Sequence, residues 1–95
     1  MSYALRFHPA VRKDLKKITR QARDHLTDVI FPLIGGDPHV GTRLTGPLRG
    51  MWKYRVIFFG VWYRIAYRID ADYNEVVILA VGPRDGFYPR LQRRS

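Results

Sequence analysis

Residues 51–70, MWKYRVIFFGVWYRIAYRID, alternate between two sets of side chains with period two on either side of a glycine. Successive side chains on a strand point to opposite faces, so this pattern reads as two strands around a tight turn. In the first strand Lys53 and Arg55 share one face, while Trp52, Tyr54, Val56 and Phe58 share the other. After Gly60 the phase swaps, and Arg64 and Arg68 alternate with Tyr63, Ile65, Tyr67 and Ile69. A two-residue loop near Phe59 and Gly60 pairs odd positions of the first strand with even positions of the second. That register gathers Lys53, Arg55, Arg64 and Arg68 on one surface. Like charges opposed across a ladder are destabilising, so these cations point to a role outside stability. An anionic ligand is the simplest one.

The flanking segments supply what the hairpin needs on its apolar side. Residues 2–7 (SYALRF) alternate and predict a first strand. Pro9 suits the first turn of a helix, where its missing N–H costs nothing. Val11, Leu15 and Ile18 then form one apolar stripe, with Arg12, Lys13, Lys16 and Lys17 around it. Thr19 is a candidate N-cap for a second helix with the stripe Ala22, Leu26, Val29, Ile30 and Leu33. Pro32 should end or kink that helix within its last turn. Residues 35–50 are Gly/Pro-rich and read as a loop carrying Arg43 and Arg49. EVVILAVG (75–82) is apolar on both faces, as a doubly covered strand is. The tail, RDGFYPRLQRRS, carries Arg84, Phe87 and Tyr88 and ends in a basic cluster, with no element assigned to it. The order β-α-α-β-β-β predicts a single α+β domain over residues 1–95. Its mainly antiparallel sheet has the helix hairpin packed on one face.

Charge narrows the partner. The formal net charge is +9, from 13 Arg and 4 Lys against 8 carboxylates. Guanidinium forks match phosphate oxygens bidentately, so an arginine-rich excess favours nucleic acid, with an acidic protein next. The apolar fraction of 46% argues against disorder. There is no cysteine for a disulfide or thiolate metal site, and the carboxylates show neither an EF-hand spacing nor a paired acidic site. No metal or cofactor is implied. No apolar run approaches the roughly 18 residues that cross a bilayer, and MSYALRFHP lacks the apolar core of a signal peptide. A soluble cytoplasmic protein without membrane contact is expected.

The segment LTGPLRGMWKYRV, the strand WYRIAYRI and the closing VGPR with Tyr88 four residues on resemble the RelE/ParE superfamily of type II toxins, over nearly the whole chain. RelE-like members are ribosome-dependent endoribonucleases that cut mRNA in the ribosomal A site. ParE-like members share the fold and poison DNA gyrase. Both are neutralised by a small antitoxin encoded beside them. The resemblance therefore implies a cognate antitoxin, the ribosome and mRNA as partners. It also implies assembly with the antitoxin, or self-association through the same surface.

Carried across by position, the resemblance assigns Lys53, Arg55, Arg64, Arg84 and Tyr88 to catalysis. The chain departs from the pattern at Arg55, where the best-known nuclease has lysine, and at Pro83, often cationic or His in relatives. The implied reaction is attack of a ribose 2′-OH on the adjacent phosphate, giving a 2′,3′-cyclic phosphate and a 5′-OH. Arg64 and Arg84 are the candidate stabilisers of developing charge. Arginine is effectively never deprotonated, so Lys53 is the candidate general base. Tyr88 is open to stacking on a nucleobase, moving a proton or packing on the sheet. His8, His25 and His39 lie elsewhere in the chain and are assigned surface roles. Arg12, Lys13, Lys16, Lys17, Arg43, Arg49 and Arg68 are candidate RNA contacts. Retention of the basic set favours the nuclease over the gyrase poison, and the change at Arg55 keeps an inactivated family member in view.

Overall fold

The alternating segment folds as the hairpin that its pattern predicts. In the computed structural model, which describes residues 2–94, β3 (Trp52–Phe58) and β4 (Val61–Asp70) pair antiparallel, Phe58 opposite Val61. The turn residues Phe59 and Gly60 both have positive φ, 48° and 78°. A two-residue turn needs this to match the right-handed strand twist. Three more strands complete one sheet in the order β1-β5-β4-β3-β2, with β1 (Ala4–Phe7), β2 (Thr42–Arg43) and β5 (Glu75–Pro83). Only β1 and β5 run parallel; the other neighbours are antiparallel. This is the expected mixed α+β architecture, and no helix of the described residues is long and apolar enough to cross a membrane.

The helices on the first face are α1 (Val11–Lys16), α2 (Arg20–His25) and α3 (Phe31–Gly36). Thr19 caps α2 as expected, its Oγ accepting from Ala22 N at 3.1 Å. Pro32 does not end the second helix. A π turn, Leu26–Ile30, precedes it and Phe31 N donates to Leu26 O. The proline then falls in the first turn of α3, where it breaks no hydrogen bond. The wide turn also moves the stripe. Ala22, Leu26, Ile30, Phe31 and Ile34 are buried, while Val29 and Leu33, expected inside, are half exposed. Leu26, Ile30, Phe31 and Ile34 pack with Val11 against Ile65, Tyr67, Val76, Ile78 and Val81 of the sheet.

Two elements were not foreseen. Within the Gly/Pro-rich stretch, Thr42 and Arg43 form β2 on the outer edge of β3. The tail forms α4 (Phe87–Arg94), whose Phe87 and Leu91 are fully buried against Met51, Ala66, Leu79 and Ala80. This helix is what covers the second face of β5. A bulge between Ala66 and Tyr67 serves the same end, because Leu79 has no partner opposite it and joins Ala80 on the α4 side.

Four aromatic residues of the hairpin face the helices as expected: Tyr63 and Tyr67 are buried, and Trp52 and Tyr54 pack at the margin of that core. Tyr67 also ties down the β2 approach. Its hydroxyl donates to Pro38 O at 2.6 Å and accepts from Gly41 N at 3.1 Å. Burial outweighs the Gly41 N–H and, with the Asp37 charge, pushes the phenol up to about 12, so it remains a donor throughout the neutral range. Tyr67→Phe should leave both backbone groups unsatisfied and cost about 1–3 kcal/mol in urea unfolding.

Candidate active site

The side of the sheet that carries α4 is only partly covered, and the cations lie on what remains. Arg55 and Arg64 are direct cross-strand partners, and Lys53 lies two residues along β3, opposite Ala66. Phe87 is the wedge that seats α4, and its buried ring meets Tyr88 edge-on, centroids 5.3 Å apart at 88°. Tyr88 is thereby held in the first turn of the helix with Lys53 Nζ 5.9 Å from its ring centroid. Residues from three segments thus meet at one place.

The charges there are uncompensated. Ion pairs among the described residues join Arg6 to Glu75, Arg20 to Asp24, and Asp14 to Arg90 and Arg94. None involves Lys53, Arg55, Arg64 or Arg84. Arg64 is the extreme case, since its Nε and Nη1 are buried without any hydrogen-bond partner. Buried polar atoms in folded proteins are almost always satisfied, and Arg64 also has a second cation, Arg55, as its cross-strand partner. Arg84 is exposed just beyond Gly82, the cross-strand partner of Arg64. It follows two residues after that pairing, and no hydrogen bond, ion pair or ring contact joins its side chain to the other described residues.

The other expected contacts are dispersed. Arg68 lies four residues along β4 from Arg64, past Ala66 buried under α4, and the structure does not bring it to the cluster. Arg43 sits on β2 with its guanidinium 5.2 Å from the Trp52 ring, and Arg49 is exposed after a short 3₁₀ turn. Arg12, Lys13 and Lys16 rim a separate groove of about 870 Å³ between β1, α1 and α2, with Phe7 and Phe31 in its wall. Lys17 caps α1 in solvent. The histidines lie away from the cluster. His8 Nδ1 accepts from Ala10 N at 3.1 Å, His25 stacks on Phe58, and His39 meets Trp52 edge-on. No group of three or more His, Asp and Glu side chains among the described residues is placed to hold a metal ion.

The residues that fix α4 gave no sign in the sequence. Asp14 is a lone carboxylate between lysines, yet it is 2% exposed and takes both terminal nitrogens of Arg94, at 2.6 and 2.9 Å. It also accepts from Val81 N at 3.0 Å and pairs with Arg90 Nε at 3.5 Å. β1 stops opposite Ile78, which leaves Leu79 and Val81 of β5 with an open edge. Arg94 and Arg90 close it by donating to Leu79 O and Val81 O, both at 3.1 Å. Side chains take the place of a missing strand. Gly82 makes room for this, because a Cβ there would lie 2.7 Å from Arg90 Nη2. Burial raises the Asp14 carboxyl, but the Arg94 hydrogen bonds, the Val81 N–H and both guanidinium charges outweigh it and hold the group below its usual 3.8.

The chain and its fold have relatives. The chain is 33% identical over 91 residues to Toxin RelG of Mycobacterium tuberculosis, covering 95% of this chain and all of that one. The toxin–antitoxin complex RelBE2 of the same organism superposes with a TM-score of 0.78 at 33% identity, over 88% of this chain and all of that one. A mutant of the Escherichia coli toxin RelE in the free state shares the fold, with a TM-score of 0.74 at 19% identity over 99% and 94% of the two chains. Residues 5–92 match the family described as the ParE-like toxin of type II bacterial toxin–antitoxin systems. With that match spanning nearly the whole chain, and a basic cluster on the sheet that no ion pair among the described residues neutralises, the protein belongs to the RelE/ParE superfamily of type II toxins.

Proposed function

We propose that this toxin is a ribosome-dependent endoribonuclease that cuts mRNA at the Lys53, Arg55, Arg64 and Tyr88 cluster. The observation that carries the reading is the half-buried side chain of Arg64, whose buried Nε and Nη1 have no hydrogen-bond partner and which lies directly opposite Arg55 on the ladder. A pair of opposed cations with no carboxylate between them is a liability in the free protein and a ready site for a phosphate. In-line attack of the 2′-oxygen on phosphorus places extra negative charge on the non-bridging oxygens. Arg64 and Arg55 stabilise that charge, with Arg84 closing from the end of β5. The 2′-hydroxyl proton passes to a general base, the P–O5′ bond breaks, and the 5′-oxygen takes up a proton as it leaves. Lys53 and Tyr88 are the proton-bearing groups at hand, and the ribosome supplies the positioning of the substrate. The partner that neutralises the toxin is a cognate antitoxin. An acidic, amphipathic segment suits the groove beside α1, which is apolar in its wall and basic at its rim.

The test is a translation reaction with purified ribosomes and a defined mRNA, with 5′ ends mapped after addition of the toxin. Cleavage within codons that leaves 5′-hydroxyl ends, and only while the message is being translated, is the expected result. Intact mRNA, together with accumulation of gyrase–DNA cleavage complexes, would refute it in favour of a gyrase poison.

A further inference from the structure

The tip of the hairpin extends past the sheet. β5 accompanies β4 only from Tyr63 onward, so Ile57, Phe58, Val61 and Trp62 pair with one another alone. Trp62 is 47% exposed on the same face as Arg64, and its ring lies 5.2 Å from the Arg55 guanidinium carbon. A large indole left in water beside a cation cluster is not filling a core. Next to it is a notch of about 330 Å³, walled by Trp62, Arg55, Lys53, Tyr54 and residues 40–42. The notch exists because β2 pairs with β3 only at Trp52 and Lys53. Beyond Lys53 the outer edge of β3 has no strand beside it among the described residues, and Tyr54 and Arg55 of that edge line the notch.

From this arrangement we infer that the Trp62 notch is a subsite for one unpaired nucleobase of single-stranded RNA, next to the phosphate held by Arg55 and Arg64. The inference rests on the ribonuclease reading. The dimensions suit a single planar heterocycle, being at the small end of ligand sites and far too small for a helix. Trp62 and the guanidinium stacked on it provide the flat surface that holds an unstacked base. The open β3 edge supplies donors and acceptors for the edge of that base. Lys53 and Arg55 belong to both places, so a base in the notch fixes the backbone phosphate at the cations. Tyr88 lies against Lys53, and the strand would run between the two rings.

The test uses the full chain and a fluorescein-labelled, 2′-O-methylated single-stranded oligoribonucleotide, which cannot be cut, with binding followed by anisotropy at several salt concentrations. Trp62→Ala should weaken binding about 5- to 100-fold, and Trp62→Phe should restore most of the loss. The slope of log affinity against log salt should be unchanged in Trp62→Ala, because no phosphate contact is removed, and shallower in Arg55→Ala. An oligomer of the same length without bases should bind the wild type and Trp62→Ala alike. Equal binding of the labelled RNA by these two, or no measurable binding by the wild type at low salt, would overturn the subsite. So would a Trp62→Ala variant that loosens the antitoxin complex and leaves RNA binding intact, which would assign the ring to the protein interface. Binding with these properties in a protein that cuts no translated mRNA would remove the nuclease proposal and leave the base site standing.

Discussion

Arg64→Met should lower mRNA cleavage on ribosomes by about 100- to 1,000-fold, the usual cost of losing one preorganised charge stabiliser. The same substitution should leave the protein at least as stable as the wild type. Its stem keeps the packing of the arginine stem, while the two unpaired nitrogens and their repulsion with Arg55 disappear. A rise of about 1 kcal/mol in urea unfolding is expected. Activity and stability moving in opposite directions is what separates a group held for a ligand from a group held for the fold. Single-turnover cleavage and equilibrium unfolding of one preparation check both halves. A loss of stability with cleavage intact would make Arg64 a structural residue.

Asp14→Ala should be the most destabilising single change, at about 3–5 kcal/mol. It leaves Arg94 and Arg90 partly buried without their counter-ion, and Val81 N–H without an acceptor. For a domain of this size the melting temperature should fall by well over about 10 °C. The pH dependence gives an independent check. The Asp14 carboxyl is held below its usual 3.8 in the folded protein. Its stabilisation is therefore complete above that value and is lost as the pH falls from 3.8 through the folded pKa. The gap in melting temperature between wild type and variant should be full at neutral pH and close in that acidic window. A gap independent of pH down to the lowest accessible values would show that packing, and not charge, makes the contribution. Loosening α4 should also move Tyr88 away from Lys53, so cleavage should decline with the clamp.

Local pattern and distant partnership divided what could be read in advance. The face of every hairpin side chain follows from alternation about one glycine, and Arg55 opposite Arg64 is the register that alternation implies. The doubly apolar strand at 75–82 correctly announced two covered faces. What covers the second one was hidden. Phe87 and Leu91 are only two apolar side chains in an eight-residue helix that also holds Pro89 and three arginines. Their period is too short to register. Asp14 was illegible for a different reason. On α1 it is a carboxylate among cations, which normally means solvent, and its partners lie 67 and 80 residues away. The π turn is not legible in the sequence, because Pro32 announces a break without saying how the helix absorbs it. Trp62 carries no signal of its own, because its strand reads as core on one side and as charge on the other.

The Asp14–Arg94 contact also sets an order of events. Pairing of β3 with β4 joins near neighbours in the chain, whereas seating α4 requires residues 80 apart to meet. Contacts of short separation form first when a chain collapses. A molecule arrested midway would then own its three cations before its phenol, able to cling to any polyanion and to discriminate among none.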